Sequence, residues 1–203
     1  MIIKICGMRE ADNIREIEEI GPDLMGFIFW DGTTRNVLSL PEYMPSRCKR
    51  VGVFVDADES FILTHVNDYK LDFIQLHGHE TPAFCERLHH VLPGIKFIKA
   101  ISINNTNDIR RANDYNAVAD YFIFDTKCKC VGGSGEQFDW DILKDYQNDI
   151  PFLLSGGIGP DDAERVKSFK HPMMIGIDLN SKFEIAPALK NRVTLKEFIN
   201  NIR

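Results

Sequence analysis

The sequence predicts an α/β chain that closes into one single-domain (β/α)8 TIM barrel over residues 1–203. Three observations carry that expectation. Short apolar runs rich in β-branched residues recur about every 25 residues. Most of them are near-continuous in hydrophobicity, as parallel strands buried on both faces must be. Segments with helical spacing separate them. Eight such units close more naturally into a barrel than into an open doubly wound sheet, because closure leaves no exposed edge.

The expected strands are Ile2 to Cys6, Leu24 to Phe29, Arg50 to Val55, Asp72 to Leu76, Lys96 to Ile101, Tyr121 to Asp125, Pro151 to Ser155 and Met173 to Asp178. Among the helical segments, "EADNIREIEEI" sets Ile14, Ile17 and Ile20 on one side and charges elsewhere. "DESFILTHVNDY" places Phe61, Ile62, His65, Val66 and Tyr69 at similar spacing. "TPAFCERLHHVL" opens with Thr81 as an N-cap and Pro82 in the first turn. "FDWDILKDY", "GPDDAERVKSF" and "TLKEFINNIR" follow the same logic. "SLPEYMPSR" has two prolines, which leave room for one short or irregular turn.

Composition narrows the function. Hydrophobic residues make up 44% and charged residues 27%, the balance of a soluble globular chain. With 24 basic and 30 acidic residues the net charge is −6, which argues against general nucleic-acid binding. An anionic small molecule therefore needs a locally positive site. The start, "MIIKICGMREADN", lacks the long apolar run and small-residue cleavage site of a signal peptide. No stretch is apolar for long enough to span a bilayer. Cys6, Cys48, Cys85, Cys128 and Cys130 are scattered and odd in number, which suits a reducing, cytoplasmic setting.

In a (β/α)8 barrel the chemistry sits at the C-terminal ends of the strands. That directs attention to Cys6, residues 29–35, Gln75 to His77, Asp125, Ser155 to Gly157 and Asp178 to Ser181. "SGGI" after the seventh strand and "GIDLNS" after the eighth form the usual phosphate position of this fold. Backbone N–H groups and a short helix N-terminus would do the binding there. Taken alone, such glycines only permit tight turns; the two loops together favour phosphate.

Cys6 ends the first strand and Asp125 the sixth, so both reach one rim. Singly, a strand-end cysteine is more often a small buried hydrophobe, and an aspartate a cap or salt-bridge partner. Together they suggest proton transfer to and from carbon and oxygen. Cys6 would need a nearby positive group to gain thiolate character. Asp125 would need desolvation or a neighbouring anion to hold a proton. Arg35 is the natural local cation for a carboxylate, against the bland reading of a solvated surface arginine.

"KICGMRE", "FIFWDGTTRNV", "FIQLHGHE", "FDTKCKCVGGSGEQFDW", "LSGGI" and "GIDLNSKFE" occur at successive strand ends. In that order they resemble the phosphoribosylanthranilate isomerases over nearly the whole chain. The resemblance implies a barrel that performs an Amadori rearrangement in tryptophan biosynthesis with no cofactor and no metal. It implies Asp125 as general acid, Cys6 as general base and Arg35 as holder of the anthranilate carboxylate. Gly156, Gly157, Asp178, Asn180 and Ser181 would line the phosphate site, chiefly through backbone N–H groups. Gln75, His77 and Gly133 complete the expected substrate-binding set, Gly133 within a glycine-rich segment suited to a flap. The expected partner is a small phosphorylated substrate, with no nucleic acid or membrane, for a monomer or homodimer.

Some residues depart from the family pattern. Asn180 and Lys182 stand where serine and glycine are usual, and "APALKN" replaces a usual "PG-x-KD". That puts the geometry of the last turn in question. Cys128 and Cys130 lie outside the motif, and a lone pair of cysteines does not make a zinc site. Two alternatives stay open: a barrel that only binds a phosphorylated ligand, and another phosphosugar isomerase such as that of the histidine pathway. The latter carries an aspartate where Cys6 stands.

Overall fold

The computed structural model describes residues 1–126 and 138–203. Eight parallel strands close a barrel in sequence order: β1 (Ile2–Ile5), β2 (Leu24–Phe29), β3 (Lys49–Phe54), β4 (Phe73–Leu76), β5 (Lys96–Ile103), β6 (Tyr121–Thr126), β7 (Phe152–Leu154) and β8 (Met174–Leu179). All eight expected strands are present, with ends shifted by at most two residues. The ring closes through β1 and β8, which pair in register with Lys4 opposite Asp178.

Side chains alternate inward and outward along each strand. Leu24, Val51, Ile98, Ala100, Ile123 and Leu153 form one apolar cluster that plugs the lower barrel. Above it the inward positions turn polar, with Lys4, Gln75 and Asp178 all buried. Outward-facing residues such as Ile3, Ile5, Phe27, Ile74, Phe122 and Phe152 pack beneath the helices in the main core.

The helices form where a cap and an apolar stripe coincide. Helix α1 (Ala11–Glu18) buries Ile14 and Ile17. In α2 (Glu59–Tyr69), Asp58 caps the Phe61 N–H and Lys70 stops the helix in a left-handed conformation with φ 51°. Thr81 accepts from the Phe84 N–H at the start of α3 (Pro82–Val91), as its position before a proline predicts. Helix α4 (Thr106–Arg110) was not among the expected helices; Asn105 and Asp108 begin it with a reciprocal capping box. Helix α5 (Ala163–Ser168) follows a 3₁₀ turn. The segment at Trp140–Asp145 is 3₁₀ rather than α, started by the Asp139 side chain on the Asp141 N–H.

Among the described residues no helix follows β2, in keeping with the two prolines. An irregular strap crosses there instead, held by one buried carboxylate. Glu18 accepts from the Ser46 N–H at 2.6 Å, from the Arg47 N–H and from the Tyr43 hydroxyl.

After β8 a 3₁₀ turn (Ser181–Phe183) leads into a small antiparallel hairpin, β9 (Glu184–Ala186) and β10 (Leu189–Lys190), which the sequence reading did not anticipate. Ala188 turns this hairpin at φ 66°. It stands where the expected "PG-x-KD" pattern has glycine, and here a residue with a side chain takes the left-handed conformation. Asn191 then caps α6 (Arg192–Ile202) through the Val193 and Thr194 N–H groups. No helix of the described residues is long and apolar enough to cross a membrane.

Candidate active site

Cys6 follows β1 directly and is buried at 4% exposure, its N–H bonded to the Leu179 carbonyl at 2.9 Å. Room for the thiol comes from the next strand. A methyl group on Gly26 would stand 2.7 Å from Cys6 Sγ, so β2 must carry glycine there. Gly7 turns the chain away at φ 75°, and a methyl on it would meet Asn180 Oδ1 at 2.8 Å and Arg35 Cδ at 3.0 Å. The "CG" pair thus reads physically as a thiol delivered to a crowded rim.

Two lysines flank that thiol. Lys4 lies two residues earlier on the same inward face, fully buried, and donates to Asp178 Oδ1 at 2.9 Å. Burial works against its ammonium, yet Asp178 and Cys6 together hold its pKa above the ordinary value. Lys190, at the end of β10, donates to Glu184 Oε1 at 2.6 Å and Asn180 Oδ1 at 2.7 Å. Burial pushes the Cys6 thiol up and Asp178 adds to this, while Lys4 and Lys190 pull it down. The net direction is upward, so the thiolate depends on those cations. Neither lysine was picked out from the sequence.

Asp125 sits on β6 across the mouth, with 27% of its side chain exposed. Its Oδ1 accepts from the Thr126 N–H at 2.8 Å, and His77 Nε2 lies 3.5 Å from Oδ2. Gln75, buried on β4, reaches His77 Nδ1 with its amide nitrogen at 3.1 Å. Asp125 is thus partly exposed, and it lies within electrostatic reach of Asp178.

Asp178, expected from its sequence position to line the phosphate site, lies elsewhere. Its carboxylate is instead buried beneath Cys6 and paired with Lys4. Burial raises its pKa, Lys4 opposes that, and Asp125 adds to the rise. A buried anion held by an internal lysine repels a phosphate rather than cradling it.

The remaining phosphate candidates do cluster. Gly156 and Gly157 follow β7 with φ 87° and 68°, conformations open to glycine and strained for other residues. A methyl on Gly156 would fall 2.4 Å from Thr126 Oγ1 and 3.3 Å from Asp125 Oδ1, so this loop presses against the acid. Asn180 precedes the short 3₁₀ turn that begins at Ser181. The Lys182 stem packs beside Gly159, bringing the two loops together. Gly133, Cys128 and Cys130 lie outside the described residues.

Arg35 stands at the same rim, but not as a solitary cation. Its Nε lies 2.9 Å from Glu184 Oε1 and its Nη2 2.6 Å from Glu184 Oε2. Burial would raise the Glu184 pKa, yet Arg35 and Lys190 together hold it below the ordinary range. Glu184 thus joins the proposed carboxylate anchor to the lysine beside the thiol.

This barrel, with a thiol and an aspartate facing across one mouth, has relatives. A family model described as N-(5'-phosphoribosyl)anthranilate isomerase matches residues 3–201. The chain belongs to the N-(5'-phosphoribosyl)anthranilate isomerase family. It is 48% identical over 203 residues to the N-(5'-phosphoribosyl)anthranilate isomerase of Phocaeicola vulgatus, covering 100% of this chain and 98% of that protein. The crystal structure of phosphoribosylanthranilate isomerase from Thermotoga maritima superposes with a TM-score of 0.84 at 30% identity, covering 100% of this chain and 98% of that one. Another isomerase structure of the family, in complex with reduced 1-(o-carboxyphenylamino)-1-deoxyribulose 5-phosphate, superposes at 0.81 with 28% identity, again over 100% and 98%.

Proposed function

We propose that the chain catalyses the Amadori rearrangement of N-(5'-phosphoribosyl)anthranilate to 1-(2-carboxyphenylamino)-1-deoxyribulose 5-phosphate, in tryptophan biosynthesis, with Asp125 as acid and Cys6 as base. The observation that carries the residue roles is the facing of a lysine-flanked thiol and an aspartate across one barrel mouth. Family membership supplies the substrate.

The proton bookkeeping follows from that arrangement. Asp125 gives its proton to the ribose ring oxygen as the C1'–O bond breaks, and the anilino nitrogen's lone pair forms a Schiff base. The Cys6 thiolate then removes the C2' proton, and the electron pair moves to neutralise the iminium as an enolamine. Tautomerisation to the ketone returns a proton to C1' and releases one from the C2' hydroxyl. His77 stands where its Nε2–H can support Asp125 once that carboxyl is ionised. Arg35 holds the anthranilate carboxylate while Glu184 fixes its guanidinium plane. Backbone N–H groups of Gly156, Gly157 and the turn at Ser181 bind the phosphate. A reducing, cytoplasmic setting suits an enzyme whose base is a free thiol.

The test is loss of substrate fluorescence with purified protein, then with Cys6→Ala and Asp125→Asn. Each variant is expected to lower kcat by about 10²- to 10⁴-fold with a much smaller effect on KM. Unchanged turnover in either variant would remove its assigned role. A parent protein that binds the reduced product analogue without turnover would point to a binding barrel instead.

A further inference from the structure

Lys190 is a costly residue to keep where it is. It is 1% exposed, at the end of a two-residue strand. Its backbone is clamped from both sides by Asn13, whose Oδ1 accepts the Lys190 N–H at 2.8 Å and whose amide donates to the Lys190 carbonyl at 2.9 Å. Asn13 is itself 3% exposed. Its side chain thus ties α1 to the hairpin, and both hydrogen bonds act on this one residue. The Lys190 ammonium then projects to the segment after β1. A methyl on Gly7, the residue next to the thiol, would stand 3.4 Å from Lys190 Nζ. The ammonium thus lies against the residue that follows the base.

We propose that Lys190 is a positioning residue for this reaction: its ammonium, oriented by Glu184 and Asn180, holds Cys6 as the thiolate that takes the C2' proton. The proposal rests on the isomerase reading and deepens it. Among the described residues, the charged groups that act on Cys6 are Lys4 on β1, which also hydrogen-bonds the thiol, Asp178 on β8 and Lys190 on β10. Behind them stand Glu184 and Arg35, and across the mouth Asp125 and His77. Lys4 is shared between Asp178, at 2.9 Å, and the thiol itself, so Lys190 adds to a cation already beside the base. Glu184 is shared between Arg35 and Lys190, which leaves net positive charge on the rim side of the thiol. Burial lowers the Lys190 pKa and Glu184 opposes that fall, so Glu184 also keeps the ammonium charged. One carboxylate therefore serves both the arginine that would anchor the substrate's carboxylate and the lysine beside the base.

The experiment compares the parent with Lys190→Met, Lys190→Gln and Lys190→Arg. Glutamine is neutral but can still donate to Glu184, which guards against a methionine variant that does not fold. Two profiles are recorded for each protein. One is kcat against pH. The other is thiolate absorbance at 240 nm against pH, taken as the difference from the matching Cys6→Ser protein. Both neutral variants are expected to move the acid limb of kcat and the thiolate midpoint upward by about one pH unit or more. At neutral pH kcat should fall by about 10- to 100-fold with KM changed less than about threefold. The arginine variant should keep the parent's limb. A lowered kcat with both profiles unmoved would overturn the proposal, and so would a raised KM with kcat intact. A parent without turnover would sink the isomerase reading, while the thiolate midpoint would still decide the role of Lys190.

Discussion

His77 Nε2 faces Asp125 Oδ2 at 3.5 Å, and the His77 ring is held from behind by the Gln75 amide at 3.1 Å from Nδ1. With the amide N–H donating to Nδ1, the ring proton sits on Nε2 and points at the acid. The relay Gln75–His77–Asp125 thus aims an imidazole N–H at the carboxylate that ring opening would leave.

His77→Ala is accordingly expected to lower kcat by about 10- to 100-fold, with a smaller effect on KM. Gln75→Leu, which frees the ring to change tautomer, should reproduce part of that loss. Steady-state fluorescence assays read both. A kcat equal to the parent's in His77→Ala would show that Asp125 needs no such partner.

Ala188 holds a left-handed conformation in the β9–β10 hairpin. The cost of that conformation for a residue with a side chain is about 1–2 kcal/mol, more than the roughly 0.5–1 kcal/mol of unfolded-state freedom that glycine adds. Ala188→Gly should therefore raise stability modestly, and Ala188→Val, β-branched and fully buried, should lower it well below the parent. Urea midpoints in the order glycine, alanine, valine are the expected result. A glycine variant less stable than valine would mean that packing, not backbone strain, governs this turn.

Glu18 latches the helix-free strap after β2. Burial alone would raise its pKa, but the Tyr43 hydroxyl and the Arg47 and Ser46 N–H groups hold it below the ordinary value of 4.5. A depressed carboxylate stabilises the fold above its unfolded pKa and loses that contribution as pH falls through its folded pKa. Glu18→Gln should cost about 2 kcal/mol near neutrality. The penalty should shrink as the pH drops below 4.5, because the parent's own carboxylate protonates there. Denaturant melts in a series from pH 7 down to about pH 2 test this. An equal penalty throughout would assign the latch to shape rather than charge.

The strands were legible because burial on both faces leaves continuous apolar runs. That Cys6, Arg35 and Asp125 would share one rim was legible because a barrel brings strand ends together wherever they fall in the chain. The helix after β5 was missed because its signal is a polar cap, Asn105 with Asp108, on a segment only five residues long. Asp178 was misplaced because position at a strand end does not say which way its partner lies; Lys4, opposite it in the β1–β8 register, decides that. Lys190 was hidden for the same reason. Its backbone partner Asn13 is 177 positions away, and nothing in "APALKN" announces that pairing. Asn13, on the buried face of α1 beside Ile14 and Ile17, reads locally as only a polar residue.

Where the barrel closes has a bearing on when activity can appear during folding. Lys4 and Asp178 meet across the β1–β8 seam, 174 positions apart in the chain. Cys6 and Arg35 come from the first quarter of the sequence, whereas Asp125, Glu184 and Lys190 come from the second half. Contacts of such long span form late, because loop closure must precede them. A nascent or half-length barrel would hold the base and Lys4 without Asp178, Lys190 or the acid opposite. Turnover during refolding would thus act as a clock for ring closure, starting only when the first strand meets the last.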